Sequence, residues 1–183
     1  MAKTFRTGLA AGALVLAYLG LAQCRSPQDA AIVTGSTTVE SVREGGRLVV
    51  LTLKGPTTFR DIGDGGFGYE VDMVEAFAEQ LGVTPRYVVM KDIDALLTAI
   101  EKGQGHIGAA GLTITDARGE RVQFGPAYRN VSESVVCHQG GPAPTTLDAL
   151  SEVNLTVLAG SSYVETLTRL KKDHPQLKWT ERK

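Results

Sequence analysis

The chain has 183 residues, 43% of them apolar and 21% charged, which suits one domain or two small lobes and excludes disordered and collagen-like classes. Residues 1–23 hold Lys3 and Arg6 and no acid, so the remainder carries 17 basic against 20 acidic residues, a net of −3. That balance gives no electrostatic reason to expect nucleic acid.

Lys3 and Arg6 precede the mostly apolar run Leu9 to Ala22, which gives way to Gln23, Cys24 and the polar stretch RSPQDA. A positive segment before a short apolar one predicts an export signal or N-terminal anchor over residues 1–23. Leu21-Ala22-Gln23-Cys24 resembles a bacterial lipobox, whose cysteine is lipidated after cleavage. Gln23 departs from the small residue usual at its position, so a plain signal peptide with an incidental Cys24 is the competing reading. Residues 24–46 are rich in Ser, Thr, Gly, Gln and Asp and read as a linker and lead-in.

Folded structure is predicted from Arg47. Leu48 to Leu53 is an apolar run of buried-strand length. Over Glu70 to Leu81, Val71, Val74, Phe77, Ala78 and Leu81 recur at helical spacing before Gly82. Arg86 to Met90 reads as a second strand and Asp92 to Lys102 as a second helix, with Ile93, Leu96, Leu97 and Ile100 on one face. His106 to Ala110 is a third strand. Strand, helix, strand, helix, strand implies parallel strands joined by right-handed crossovers. Ligands in such sheets bind beyond the carboxyl ends of the strands, which here lead into Lys54 to Phe59, Lys91 to Ile93 and Gly111 to Arg118.

After the loop GGPAP, Thr146 is expected to cap a short helix over Leu147 to Leu150, and Leu155 to Leu158 is expected to form a strand. Gly160-Ser161-Ser162 then opens a helix to about Lys172, and a further strand starts near Leu177. Two strands and one long helix make an incomplete layer. Of the two cysteines, Cys137 lies in Val135-Val136-Cys137 and is expected to be a buried thiol; a nucleophilic pair with His138 conflicts with strand alternation.

Sharper motifs fail. Gly63 to Gly68 fits G-x-G-x-x-G, but nine residues separate it from the preceding strand, so a Gly-rich turn is the better account. Gly160 to Val164 lacks the last Gly of a nucleophile elbow, and His106, His138 and His174 lack metal-ligand spacing. Asp61 and Asp64 suggest a calcium loop, yet Gly63 stands where a ligand is needed. No metal, cofactor or catalytic residue is expected.

AAGLTITDAR over 109–118, followed by VQFGPAY over 122–128, resembles the signature of family 3 bacterial solute-binding proteins. Within that family, GFGYEVDMVEAFAEQLGV, FGPAYRNVSESVV and LTVLAGSSYVETLTRLKKDHPQLKW are most similar to the non-catalytic N-terminal domain of F-type membrane-bound lytic murein transglycosylases. The resemblance runs from about Arg43 to the end. It implies an α/β, periplasmic-binding-protein-like fold of type II, with one lobe over 47–127 and an incomplete second lobe over 128–183.

It further implies a ligand site. Arg118 would hold a ligand carboxylate through its guanidinium fork, with Thr113 reaching the same group and the Gly111 carbonyl taking an amino group. Ser161 and Ser162 would offer a second carboxylate contact at a helix N-terminus, or serve only as its cap. Phe59 and Ile93 match positions that flank a ligand side chain, although either can be core.

The partner implied is an amino acid, small peptide or muropeptide, with peptidoglycan and a membrane reached through the N-terminal segment or a lipid. The implied location is the periplasm, with attachment to the outer membrane. Three readings stay open: regulation or positioning of peptidoglycan cleavage by a domain that is itself no enzyme; an amino-acid receptor for an ABC transporter; and an inactive truncated product. The receptor readings require the Arg118 guanidinium to face a gap covered by another lobe; a side chain buried in a salt bridge, or turned outward from any cleft, would overturn them.

Overall fold

The computed structural model describes residues 38–62 and 66–182. The expected export segment, Cys24, most of the predicted linker and Asp64 lie outside the described residues. The lead-in does contain structure: helix α1 (Val39–Gly45) starts at Thr38, whose hydroxyl accepts from the Ser41 amide, and it buries Val42. A Thr cap, an acid in the first turn and glycines at the end were the signals for it.

Strand β1 (Arg47–Thr52) is buried from Leu48 onward. A small antiparallel pair follows, β2 (Arg60–Asp61) with β3 (Gly66–Phe67), in the region of the Gly-rich sequence. Helix α2 (Tyr69–Leu81) then leads through Gly82 to β4 (Thr84–Val89), and α3 (Ile93–Glu101) leads to β5 (Ile107–Gly108). Asp92 caps α3 by accepting from the Ala95 amide. The sheet order is β4-β1-β5, all parallel, as the alternation of elements predicts.

Being central, β1 is covered on both faces. Leu48 and Val50 pack with Val42, Val74 and Ala78, whereas Leu51 packs with Leu96 and Ala99. Removing a Leu or Val side chain of this kind from water contributes about 1.5–3 kcal/mol. Phe77, expected on the buried face of α2, is 42% exposed. It overhangs the outer side of β5, where no further strand pairs among the described residues.

Four-residue helix α4 (Asp116–Gly119) follows β5, and residues 123–137 then run without helix or strand. Cys137 is exposed, contrary to expectation, because among the described residues no strand pairs with this segment to make Val135-Val136-Cys137 one side of a packed sheet. The second layer matches its reading: α5 (Leu147–Leu150) capped by Thr146, β6 (Leu155–Leu158), α6 (Ser162–Leu170) and β7 (Trp179–Arg182), with β6 and β7 parallel. Leu150, Leu167 and Leu177 form its core.

Candidate functional site

The site begins where β5 ends. Ala109 donates its amide to the Leu51 carbonyl as the last ladder bond, and the chain then turns at Gly111, whose φ of 60° favours glycine. The turn is fixed by a carboxylate: the Gly111 amide donates to Glu70 Oε1 at 2.8 Å. Glu70, second residue of α2, is only 7% exposed, and the same oxygen accepts from the Tyr128 hydroxyl. Burial first, and then the Glu70 carboxylate, push the Tyr128 phenol above its usual range, so it stays a proton donor. The Tyr128 ring itself lies tilted against Tyr69 at 6.1 Å.

Glu70 is placed by its helix start. Its own amide donates to the Thr57 carbonyl, and Gly68 lets the backbone pass the loop closely, since a Cβ there would meet the Thr58 carbonyl oxygen at 2.7 Å. Around this anchor opens a cleft of about 520 Å³, lined by residues 110–114 and 124–131 with Thr57, Tyr69, Glu70 and Gly108. A smaller apolar cavity of about 220 Å³ lies between α2 and β5, and Glu70, Gly108 and Tyr128 line both.

Arg118 stands behind one wall of the cleft. Thr115 caps α4, accepting from the Arg118 amide, and Arg121 clamps the following turn onto α3 through Glu101 at 2.8 Å, Asp94 and Thr98. The Glu101 carboxylate is lowered in pKa chiefly by its hydrogen bond from Arg121. The Arg118 side chain is 4% exposed. Its Nε donates to Glu165 Oε1 at 2.9 Å, its Nη1 to the Thr113 carbonyl at 3.2 Å and its Nη2 to the Gly160 carbonyl at 3.1 Å. The expectation of a guanidinium facing an open gap is therefore corrected: it lies in a buried salt bridge that joins the three-stranded layer to α6.

The other predicted site residues divide. Gly111 and Thr113 line the cleft. Ser161 and Ser162 are buried, and Ser161 turns its hydroxyl back onto the Leu158 carbonyl at 2.6 Å, so it does not cap α6 by its side chain. Gly160 brings them near Arg118 but neither lines the cleft. Phe59 is core: it is 8% exposed, packs on Tyr87 at 5.0 Å and lies under Gly66. Ile93 opens α3, half-buried, and lines neither cavity. Sequence reasoning missed Glu70 and Glu165, both of which look like ordinary acids in a helix's first turns. Among the described residues no cluster of three or more His, Cys, Asp or Glu could hold a metal ion.

Comparison with known proteins adds to this geometry. The model of bacterial extracellular solute-binding proteins, family 3, matches residues 48–180. A membrane-bound lytic murein transglycosylase F from Maricaulis maris is 47% identical over 146 residues, 79% of this chain and 32% of that protein. A membrane-bound lytic murein transglycosylase F 1 from Alkalilimnicola ehrlichii is 35% identical over 94% of this chain and 35% of its own length. The chain thus spans about a third of these relatives.

Among solved structures, an amino acid ABC transporter substrate-binding protein from Streptococcus pneumoniae bound to L-arginine superposes with a TM-score of 0.67 at 28% identity, covering 80% of this chain and 62% of that one. An ancestral arginine-binding protein bound to arginine gives 0.65 at 27%, covering 75% and 61%. The parallel β4-β1-β5 order, the cleft beyond its carboxyl edge and the match over residues 48–180 agree: the chain belongs to family 3 of the bacterial extracellular solute-binding proteins.

Proposed function

We propose that the chain is a non-catalytic periplasmic ligand-binding module of a lytic murein transglycosylase F-type protein, whose two layers are the lobes of a solute-binding site. The ligand is a carboxylate-bearing amino acid, small peptide or muropeptide, and its binding regulates or positions peptidoglycan cleavage carried out elsewhere. The observation that carries the reading is the cleft of about 520 Å³ at the carboxyl edge of the sheet, with Gly111 and Thr113 in its wall. The buried Arg118–Glu165 salt bridge counts against a guanidinium open in advance, so the reading requires that contact, behind the Thr113 carbonyl, to yield to the ligand. Clefts of this size suit small ligands with a few fixed polar contacts.

Titration calorimetry with L-arginine, L-glutamine and muramyl dipeptide tests it. Arg118→Ala is expected to weaken the bound member of that panel more than tenfold, about 1.4 kcal/mol or more. Arg118→Lys, which keeps the charge but loses the planar fork, should weaken it in the same direction. Equal affinity in a variant that keeps its circular dichroism removes Arg118 from the site.

A second reading, an amino-acid receptor serving an ABC permease, is favoured by the likeness to the Streptococcus pneumoniae protein. Free amino acids binding at least tenfold tighter than muramyl dipeptide would select it, and the opposite preference would select the first.

A further inference from the structure

We infer that Glu165 is a built-in carboxylate that occupies Arg118 in the ligand-free chain, so that a ligand's carboxylate binds by displacing it. This rests on the reading above, in which Arg118 is the ligand anchor, and adds a regulatory contact to that site.

Access comes first. With its side chain 4% exposed and donating to Glu165, Thr113 and Gly160, the guanidinium offers no surface to a molecule entering the cleft. A ligand reaches it only if one of these acceptors leaves. Thr113 belongs to the loop that lines the cleft, so the anchor lies one residue's thickness behind that wall.

Chemistry then selects the acceptor that leaves. A backbone carbonyl moves only with its chain, whereas Glu165 contributes a side chain that is 32% exposed and makes no other side-chain hydrogen bond or ion pair among the described residues. Its carboxylate can swing into water at small desolvation cost. The buried Arg118 cannot be left unpaired, because an uncompensated charge at that depth is strongly unfavourable. An incoming carboxylate meets that need: one anion replaces another, and the guanidinium stays paired throughout. A ligand without a carboxylate has nothing to offer in exchange.

The position of Glu165 makes the exchange conformational. It sits in the first turn of α6, and the Gly160 carbonyl just before that helix accepts from the same guanidinium. Losing the Glu165 contact frees one of the bonds that tie the start of α6 to α4.

Glu165→Gln removes the competing charge and leaves the shape. In calorimetry on the whole chain, Glu165→Gln is expected to bind L-arginine at least threefold more tightly than wild type, while agmatine, the same molecule without its carboxylate, gains nothing. The ligand-free melting temperature should fall and the shift produced by L-arginine should widen. L-glutamine and Glu165→Ala provide a second probe and a second variant on the same logic. A purely structural ion pair would instead lower the melting temperature with affinity unchanged or reduced, and that result overturns the proposal while leaving Arg118 as anchor. Binding of neither amino acid by wild type or variant would remove the anchor itself, and the proposal with it.

Discussion

The two layers of this molecule bury their strands differently. β1 has a strand on each side and helices on both faces, and five consecutive residues, Leu48 to Thr52, are each at most 4% exposed. β6 has one partner and alternates between half-buried and exposed residues, with its layer resting on three leucines. A strand enclosed on both faces must be apolar throughout, whereas one covered on a single face tolerates polar residues at alternate positions. The first layer can therefore fix a cleft edge, while the second rests on a smaller core among the described residues.

This contrast can be broken by core truncation. Leu51→Ala is expected to cost about 4 kcal/mol of unfolding free energy and Leu177→Ala about 3 kcal/mol, since both are fully buried but Leu51 has less room to relax. Urea unfolding followed by circular dichroism gives both values, and a larger loss at Leu177 would reverse the ranking.

Gly68→Ala bears on the link from core to cleft. The added methyl group meets the Thr58 carbonyl oxygen at 2.7 Å in a positive-φ conformation, so a loss of about 2 kcal/mol is expected, together with weaker ligand binding through a displaced Glu70. Unchanged stability would mean that the loop yields freely.

Helix caps sharpen the comparison at smaller scale. Thr38→Ala and Thr146→Ala each remove a hydroxyl that accepts a first-turn amide, and each should cost about 1 kcal/mol, one per layer. Hydrogen exchange that quickens only in the layer carrying the substitution would show the layers opening separately.

The smallest effect is one of pH. The Val49 amide donates to His106 Nδ1 at 2.9 Å, which needs the neutral ring, and burial lowers the His106 pKa from 6.5. Its folded pKa lies below its unfolded one, so the unfolded chain takes the proton first. Stability is full above 6.5 and declines as pH falls from there through the lowered folded value. His106→Asn should flatten that part of a melting-temperature profile.

Much of the fold was legible because its signals are local. The runs of β1 and β6, the Thr146 cap and the helical spacing of α2 and α3 all predict what is found, within a residue or two at the ends. The site was less legible because its determinants join residues far apart. Arg118 meets Glu165, 47 residues on, and Glu70 meets Gly111, 41 residues on, so each carboxylate reads from sequence as a solvated helix acid. Phe59 stayed open between ligand contact and core because its burial depends on Tyr87 and Gly66, neither of which its loop announces. Cys137 was misjudged for the opposite reason: an apolar run looks buried until the partner strand is found wanting.

That same run has a practical side. Residues 128–137 make no backbone hydrogen bond among the described residues, and Val136 is 93% exposed. A strip of unsaddled peptide groups flanked by valines is a template for another chain, and an accessible thiol beside it can lock such a pair covalently. Turbidity that rises with concentration, and gel bands that collapse on adding reductant, are what a purifier of this polypeptide should prepare for.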